Sequence, residues 1–463
     1  MPFNTVQFFL FLAAVLALFY LSPRPARKYV LLVASYFFYA FWNPRFVPLL
    51  LTLSAIDYTA AIWMERAQPA RRKPLLILGL AANLAFLGFF KYFNFLTGNV
   101  AWLMGRPLDS FAFDIVLPLG ISFHTLQSIS YLVDVYRGEQ AAIRNPIDYA
   151  LFISFFPQLV AGPIVRARVF FRDLDAWRPP DSNQVAHGLF LLVLGLVKKM
   201  AFADQFAQIV DRYFQHTATG AGMLTAWSAM IAFSLQIYFD FSGYTDMAIG
   251  MAKLFGFHFP VNFRRPYLAT SVTDFWRRWH ISLSTWLRDY LYIPMGGNCH
   301  GRWKTYRNLM GTMLLGGLWH GASWNFVMWG GLHGVMLSVE RLIRGDQRFE
   351  EVRGWRYWPK IALTFALVTI TRVFFRSANL PESLTVLQQM FGGAPGQWLW
   401  QPWHLYLVVV SLAGALAEER YDATEKLMRA PAWAYASALF AMFICLELFG
   451  VVDASIPFVY FQF

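Results

Sequence analysis

The chain contains 463 residues, of which 57% are apolar or aromatic and only 14% are charged. Soluble globular domains contain about 25% charged residues, so this composition leaves too little polar surface for a soluble enzyme of this length. We therefore predict an all-α polytopic membrane protein, organised as a single integral domain over residues 1–463. The net charge of +12 fits basic loops facing the lipid bilayer on its cytoplasmic side, and we predict no nucleic-acid partner.

The first predicted element is the apolar run Val6–Leu21, which no small-residue cleavage site follows and which we interpret as a retained membrane span. Further apolar stretches bring the predicted number of transmembrane helices to about ten or eleven, since a straight crossing needs roughly 20 residues. These stretches cover residues 29–42, 46–64, 75–90, 111–135, 187–210, 223–255, 326–339, 361–375, 403–417 and 432–452.

Two shorter apolar segments, 149–162 and 309–319, are interrupted or flanked by glycine and proline. This pattern predicts re-entrant segments that line an interior cavity, because irregular backbone at membrane depth is tolerated only where protein or a cavity surrounds it. The alternative is ordinary helices that are kinked by packing.

Basic residues set the predicted orientation of the chain. Arg24, Arg27 and Lys28 form one cluster and residues 66–73 contain another, so both loops are assigned to the cytoplasm and the N-terminus to the opposite side. Segment 264–307 holds eight basic and two acidic residues and is also assigned to the cytoplasm.

One histidine lies among glycine and aromatic residues in segment 319–325. Glycines allow helices to approach closely and leave room for a substrate beside the imidazole of His320. A neutral imidazole can accept the proton of a hydroxyl that attacks an acyl carbonyl, so His320 is our candidate general base. Trp319 and Asn325 are predicted to line the interior beside it. The alternative is a packing histidine whose ring bonds a backbone carbonyl of a neighbouring helix.

A second cluster, in segment 274–286, combines aromatic and basic residues. Helical spacing places Trp276, His280 and Ser284 on one face and pairs Asp274 with Arg278 four residues later. This pattern is typical of an interfacial helix that anchors the protein at the membrane surface. It also fits a catalytic role in which His280 faces the interior and Ser284 lines it. The side chains of Trp276, Arg277 and Arg278 would then bind an anionic donor such as a coenzyme with phosphate groups.

The third cluster holds two carboxylates, Asp240 and Asp246, inside the apolar segment 238–246. Structural hydrogen bonding accounts for them better than a metal site or a proton relay, each of which needs further partners. Asp240 is nevertheless a candidate for lining the interior. Cys299 and Cys445 are the only cysteines, which excludes a disulfide framework, and we predict no metal.

In their order along the chain, these clusters resemble the membrane-bound O-acyltransferase family, in particular its bacterial alginate O-acetyltransferase branch. The resemblance centres on residues 115–335. It implies a bundle of helices that encloses a tunnel, with the shared family histidine at His320 and a second one at His280. The matching stretches are residues 118–123, 156–164, 238–246, 262–267, 274–292 and 317–321.

The resemblance also implies a function in the bacterial inner membrane, with a periplasmic N-terminus. The protein would take an acetyl group from a cytoplasmic donor, acetyl-CoA, and pass it to periplasmic acetyltransferase partners that modify an exopolysaccharide such as alginate. Peptidoglycan, cellulose and teichoic acid remain alternative acceptors. A transporter, or a non-catalytic scaffold of an export complex, is the alternative from another functional class.

Overall fold

The computed structural model describes residues 1–159, 162–217, 221–345, 356–451 and 456–459. Throughout these residues the regular structure is helical, as the all-α prediction requires. Two units can be distinguished: Met1–Leu189 with Met247–Pro260, and Phe190–Asp246 with Val261–Phe463. The single domain predicted for residues 1–463 stays a prediction.

The first unit contains the N-terminal helices of the chain. Short 3₁₀ and π-helical turns, Pro44–Phe46 and Gly88–Tyr92, join some of them. The α-helices are α1 (Val6–Leu21), α2 (Arg24–Trp42), α3 (Val47–Arg66), α4 (Pro69–Leu87), α5 (Phe93–Leu103), α6 (Ile121–Arg137), α7 (Pro146–Ser154), α8 (Phe156–Leu159) and α9 (Ala167–Asp175).

Two helices, α10 (Ser182–Leu196) and α12 (Met223–Leu254), contribute residues to both units. The second unit also has π-helical turns at Val197–Ala203 and Arg288–Tyr292, and a 3₁₀ turn at Pro266–Leu268. Its α-helices are α11 (Asp204–Gln215), α13 (Val272–Arg278), α14 (Ile281–Leu287), α15 (Arg302–His320), α16 (Trp324–Arg344), α17 (Tyr357–Arg376), α18 (Leu380–Phe391), α19 (Pro402–Tyr421), α20 (Ala423–Met428) and α21 (Ala432–Phe449).

Within the described residues, five helical stretches are long and apolar enough to cross a membrane, and α1 is a shorter apolar helix. The most exposed of them is α21, where no residue of the apolar stretch is buried. A multi-pass membrane protein is therefore confirmed, whereas the number of ten or eleven spans stays a prediction. The five stretches are Pro44–Arg66, Pro69–Leu103, Ser182–Gln215, Tyr357–Arg376 and Ala432–Phe449.

The predicted re-entrant segments have different structures. Segment 309–319 lies inside the continuous helix α15. It is therefore an ordinary helix, the alternative to a re-entrant segment. Segment 149–162 is divided between α7 and α8, and its residues 160 and 161, which also belong to the matching stretch 156–164, lie outside the described residues.

Aromatic side chains fill much of the interior of each unit. In the first unit, the ring centroid of Phe257 lies 5.0 Å from those of both Phe155 and Phe170. In the second unit, Phe206 and Phe233 belong to one buried hydrophobic cluster. Such rings bury large apolar areas and hold the helices in fixed positions.

Glycines join α15 and α16 into a tight helical hairpin that places His320 at its bend. A Cβ atom on Gly317 would lie 2.2 Å from the carbonyl oxygen of Phe326, and one on Gly330 would lie 2.3 Å from that of Met313. The two backbones are thus in direct contact, as small residues permit between membrane helices.

We expect Gly330→Ala to push α16 away from α15, because its methyl group would meet backbone rather than a movable side chain. Overpacking of this kind costs roughly 1–3 kcal/mol, measurable as a lower midpoint of thermal unfolding in detergent. Gly331→Ala is the matched control, since a Cβ there meets only Leu314 Cδ2 at 3.5 Å. Equal midpoints for the two variants would contradict the close contact.

Candidate active site

The first candidate catalytic residue, His320, is the last residue of α15 and is buried. Aromatic rings surround its imidazole: the ring centroids of Trp319 and Trp329 lie 5.0 Å away, and that of Phe375 lies 5.3 Å away. The bend between α15 and α16 therefore places a polar ring in a largely apolar enclosure. Burial beside aromatic rings agrees with the predicted position in the interior.

His280 lies between α13 and α14, fully buried, and its ring centroid is 6.4 Å from that of His320. Phe241 of α12 contacts the same imidazole edge to face, with centroids 4.7 Å apart. The structure thus brings together two histidines that lie 40 positions apart in the sequence.

The sequence predicts a continuous helix over segment 274–286. This prediction is wrong, because the helix breaks at His280. The backbone of His280 is left-handed, with φ 43° and ψ 54°, and starts α14 in a new direction. Asn262 holds this break: its carbonyl oxygen accepts the Ile281 N–H at 2.9 Å, and its Oδ1 accepts the Ser282 N–H at 3.1 Å. Sequence reasoning did not single out this role of Asn262, although the residue starts one of the matching stretches.

His320 lines a small cavity in the second unit. The space open to the centre of a water-sized sphere is about 10 Å³, which is room for roughly one water molecule. Because so little water fits into this cavity, electrostatic interactions inside it are stronger than in bulk water. The lining residues are Ile237, Phe275, Trp279, His320, Trp329, His333, Val368, Arg372 and Phe375.

Arg372 is a charged lining residue that the sequence analysis missed. It is buried on α17, its Nη1 donates to the carbonyl oxygen of Ser234 at 3.1 Å, and its Cζ lies 4.5 Å from the ring centroid of Trp279. An arginine inside the apolar run 361–375 was the available signal, because an ionisable residue within a membrane span usually has a function. A cation in the cavity of His320 can stabilise negative charge that develops there.

His333, the other histidine of this cavity, has a structural role. The indole N–H of Trp276 donates to its Nδ1 at 3.3 Å, and its Nε2 lies 3.1 Å from Thr371 Oγ1. Because Thr371 donates its own proton to the carbonyl oxygen of Val368, Nε2 must carry the histidine proton, and the neutral ring is satisfied on both sides. The same hydrogen bond holds Trp276 beside His333. Trp276 is a residue that the sequence predicts to bind the donor.

The predicted donor-binding arginines differ in their surroundings. Arg278 forms an ion pair with Asp274 at 2.9 Å, as the helical spacing predicts, and a second one with Glu419 at 3.0 Å. Arg277 is exposed. Of the two, Arg277 is therefore the residue whose side chain is accessible to a soluble ligand.

The other residues predicted to line the interior take different positions. Trp319 is buried beside both histidines, with its ring centroid 6.1 Å from that of His280. Asn325 donates its amide N–H to the carbonyl oxygen of Ser377 at 2.7 Å, and the Ser284 hydroxyl donates to that of Trp279 at 3.1 Å. These hydrogen bonds hold backbone in place, and neither Asn325 nor Ser284 is among the residues that line the cavity of His320.

Asp240, the last of the predicted lining residues, belongs to a buried ion network. Lys199 Nζ lies 2.9 Å from Asp240 Oδ1 and 2.7 Å from Asp204 Oδ1, and these side chains are only 1–3% exposed. The other oxygen of Asp240 accepts the Val459 N–H at 2.6 Å, while Lys199 donates to the carbonyl oxygen of Ile456 at 3.1 Å. The network thus fixes segment 456–459. For Asp240 the sequence analysis favours structural hydrogen bonding over a metal site or a proton relay, and these contacts are of that kind.

No three His, Cys, Asp or Glu side chains in the described part of the chain are grouped so that they could hold a metal ion. The absence of a metal stays a prediction. The arrangement in hand, a buried imidazole with a second histidine and an arginine nearby, suits proton transfer during attack on a carbonyl.

Comparison with known proteins identifies the family. The model of the membrane-bound O-acyltransferase family matches residues 74–379, which include both histidines. The chain is 44% identical over 402 residues to a probable alginate O-acetylase AlgI of Pseudomonas putida, across 84% of this chain and 79% of the relative. A probable alginate O-acetylase AlgI of Azotobacter vinelandii is 44% identical over 397 residues, across 84% and 77%. A peptidoglycan O-acetyltransferase of Helicobacter pylori is 42% identical over 397 residues, across 79% and 74%. The resemblance in the motifs is thereby confirmed, and the chain belongs to the membrane-bound O-acyltransferase family as a multi-pass membrane enzyme.

Proposed function

We propose that this enzyme takes an acetyl group from cytoplasmic acetyl-CoA and passes it across the bacterial inner membrane to periplasmic acetyltransferase partners. The final acceptor is an exopolysaccharide, alginate or a related polymer. The observation that carries this proposal is the buried His320 imidazole next to His280 in an aromatic enclosure. The relatives that are named alginate O-acetylases support the choice of acyl group and polymer.

In the proposed reaction, an acceptor hydroxyl oxygen forms a bond to the acetyl carbonyl carbon while the carbon–sulfur bond of the thioester breaks. His320 accepts the hydroxyl proton and then gives it to the departing thiolate of CoA. Arg372, in the same cavity, would stabilise the negative charge on the carbonyl oxygen during the attack. The aromatic walls keep water from hydrolysing the thioester.

His280 is proposed to orient or assist His320, so we expect its loss to reduce acetyl transfer by less than the loss of His320. His280→Gly is the informative variant, because glycine keeps the left-handed backbone without strain and removes only the ring. We expect roughly a tenfold lower rate, at the weak end of general acid–base effects, with a normal membrane level. A rate equal to that of the unmodified enzyme would remove His280 from the mechanism.

The donor-binding proposal predicts that Arg277→Gln raises the acetyl-CoA concentration needed for half-maximal rate, by about threefold to fivefold for one exposed charge contact. Arg278→Gln should do the same but also weaken the fold, because it removes the ion pairs that Arg278 forms with Asp274 and Glu419. The half-maximal concentration in membrane vesicles is the measurement. An unchanged value for Arg277→Gln would end its assignment to donor binding.

The acceptor is tested by expressing the chain in Pseudomonas putida cells that lack their own alginate O-acetylase. Ester-linked acetate on alginate should be restored by the unmodified chain and not by His320→Ala. Peptidoglycan is the second candidate acceptor, because the Helicobacter pylori relative is nearly as similar. Acetate on peptidoglycan alone would favour it, and acetate on neither polymer, with the protein present in the membrane, would favour the transporter or scaffold.

A further inference from the structure

The first unit contains a cleft that the proposed reaction does not use. It has a volume of about 410 Å³ and lies where the end of α1 and the start of α2 meet α7 and α9. This volume is within the usual range for a site that holds a small ligand. Basic, acidic and aromatic side chains line it together.

The charged groups in this cleft differ in their existing contacts. Lys28 is bound to Asp148 at 2.7 Å, and the guanidinium of Arg27 lies over the ring of Trp177, 4.3 Å from its centroid. Arg24 and Asp175 also line the cleft and are exposed, and neither forms an ion pair with another described residue. The guanidinium of Arg24 and the carboxylate of Asp175 are thus available to bind a ligand.

This combination fits a zwitterion that carries a phosphate and a primary amine. An anion without an amine would gain from Arg24 and Arg27 but would be repelled by Asp175. A zwitterion satisfies both signs, because its phosphate accepts hydrogen bonds from guanidinium groups and its ammonium donates to a carboxylate.

An apolar stripe leads away from the cleft and indicates that the ligand is a lipid. Pro25 lines the cleft, and residues at steps of four continue its face along α2. These are Tyr29, Val33 and Phe37, which are 49%, 68% and 57% exposed. Acyl chains of a lipid can lie along this stripe while its headgroup occupies the cleft. The basic cluster around the cleft is also the one that the sequence assigns to the cytoplasmic side of the membrane.

We propose that this cleft binds the headgroup of an aminophospholipid, with the phosphate at Arg24 and Arg27 and the ammonium at Asp175. The site is independent of the proposed acetyl transfer, since no residue of the histidine cavity takes part in it. A structural lipid held here would fix the connection between the first two helices of the chain.

Native mass spectrometry of the purified full chain tests this proposal with phosphatidylethanolamine and phosphatidylglycerol as probes. We expect phosphatidylethanolamine to bind about threefold to fivefold tighter, the size expected for one exposed ion pair. Arg24→Gln should weaken both lipids by a similar factor, and Asp175→Asn should abolish the preference while phosphatidylglycerol binds at least as well as before. Arg71→Gln is the matched control, because Arg71 is an exposed arginine outside the cleft.

Three results would overturn the proposal. The first is equal binding of the two lipids by the unmodified chain, and the second is identical behaviour of Arg24→Gln and Arg71→Gln. The third is soluble phosphoethanolamine binding as tightly as the lipid, which would assign the cleft to a soluble ligand.

Discussion

Replacing His320 by alanine is expected to reduce acetylation by about 10²–10⁴-fold, the usual contribution of a general acid–base group. The side chain lies at the bend between α15 and α16, surrounded by Trp319, Trp329 and Phe375. The cavity beside it has room for roughly one water molecule, which is a far weaker base than an imidazole. The measurement is the amount of ester-linked acetate per polymer, normalised to the level of the enzyme in the membrane.

Two further variants separate the loss of the base from damage to the fold. His320→Gln keeps a polar side chain of similar size and should lose as much activity as the alanine variant, since an amide cannot accept and return a proton. His300→Ala changes an exposed histidine and should leave acetylation unchanged. Wild-type acetylation by His320→Ala at a normal membrane level would show that His320 is a packing residue.

The largest expected effect on stability comes from Lys199→Met. This change leaves the buried carboxylates of Asp204 and Asp240 without the cation that both contact. Removing one partner of a buried ion pair costs about 3–5 kcal/mol in the free energy of unfolding. We also expect segment 456–459 to become accessible to protease, because Lys199 and Asp240 hold its backbone.

Controls for this prediction come from the neighbouring lysine and from the carboxylates. Lys198→Met removes a lysine that pairs with Asp246 at 2.5 Å but is partly exposed, so its cost should be smaller. Changing both carboxylates together with Lys199, as Lys199→Met with Asp204→Asn and Asp240→Asn, should recover part of the lost stability, since no buried charge is then left unpaired. Equal costs for the two lysine variants would contradict the account of the network.

Composition, helical spacing and motif order predicted the class of the protein, one of its ion pairs and the candidate histidines. Composition predicted the helical membrane class, and helical spacing predicted the ion pair between Asp274 and Arg278. Motif order placed His320 and His280 in one family site, and the structure brings their rings together. These features depend on average polarity, on neighbours within one helical turn, or on residues in a recognisable order.

The features that sequence reasoning missed depend on partners from distant parts of the chain. The helix break at His280 is held by Asn262 from a preceding loop, and histidine adopts a left-handed backbone too seldom for the residue type to predict one. Arg372 reaches the cavity from α17, about 50 positions after His320. The contacts of Lys199 with Ile456 span an even longer separation. Tertiary packing alone brings these groups together.

The central claim is transfer of an acetyl group from cytoplasmic CoA across the membrane with His320 as the base. Its most direct test uses inside-out membrane vesicles that contain this enzyme, its periplasmic partners and the acceptor polymer, with radiolabelled acetyl-CoA added outside. We predict label on the acceptor inside the vesicles with the unmodified enzyme and none above background with His320→Ala. No donor-dependent label with the unmodified enzyme, or equal label with both, would contradict this account.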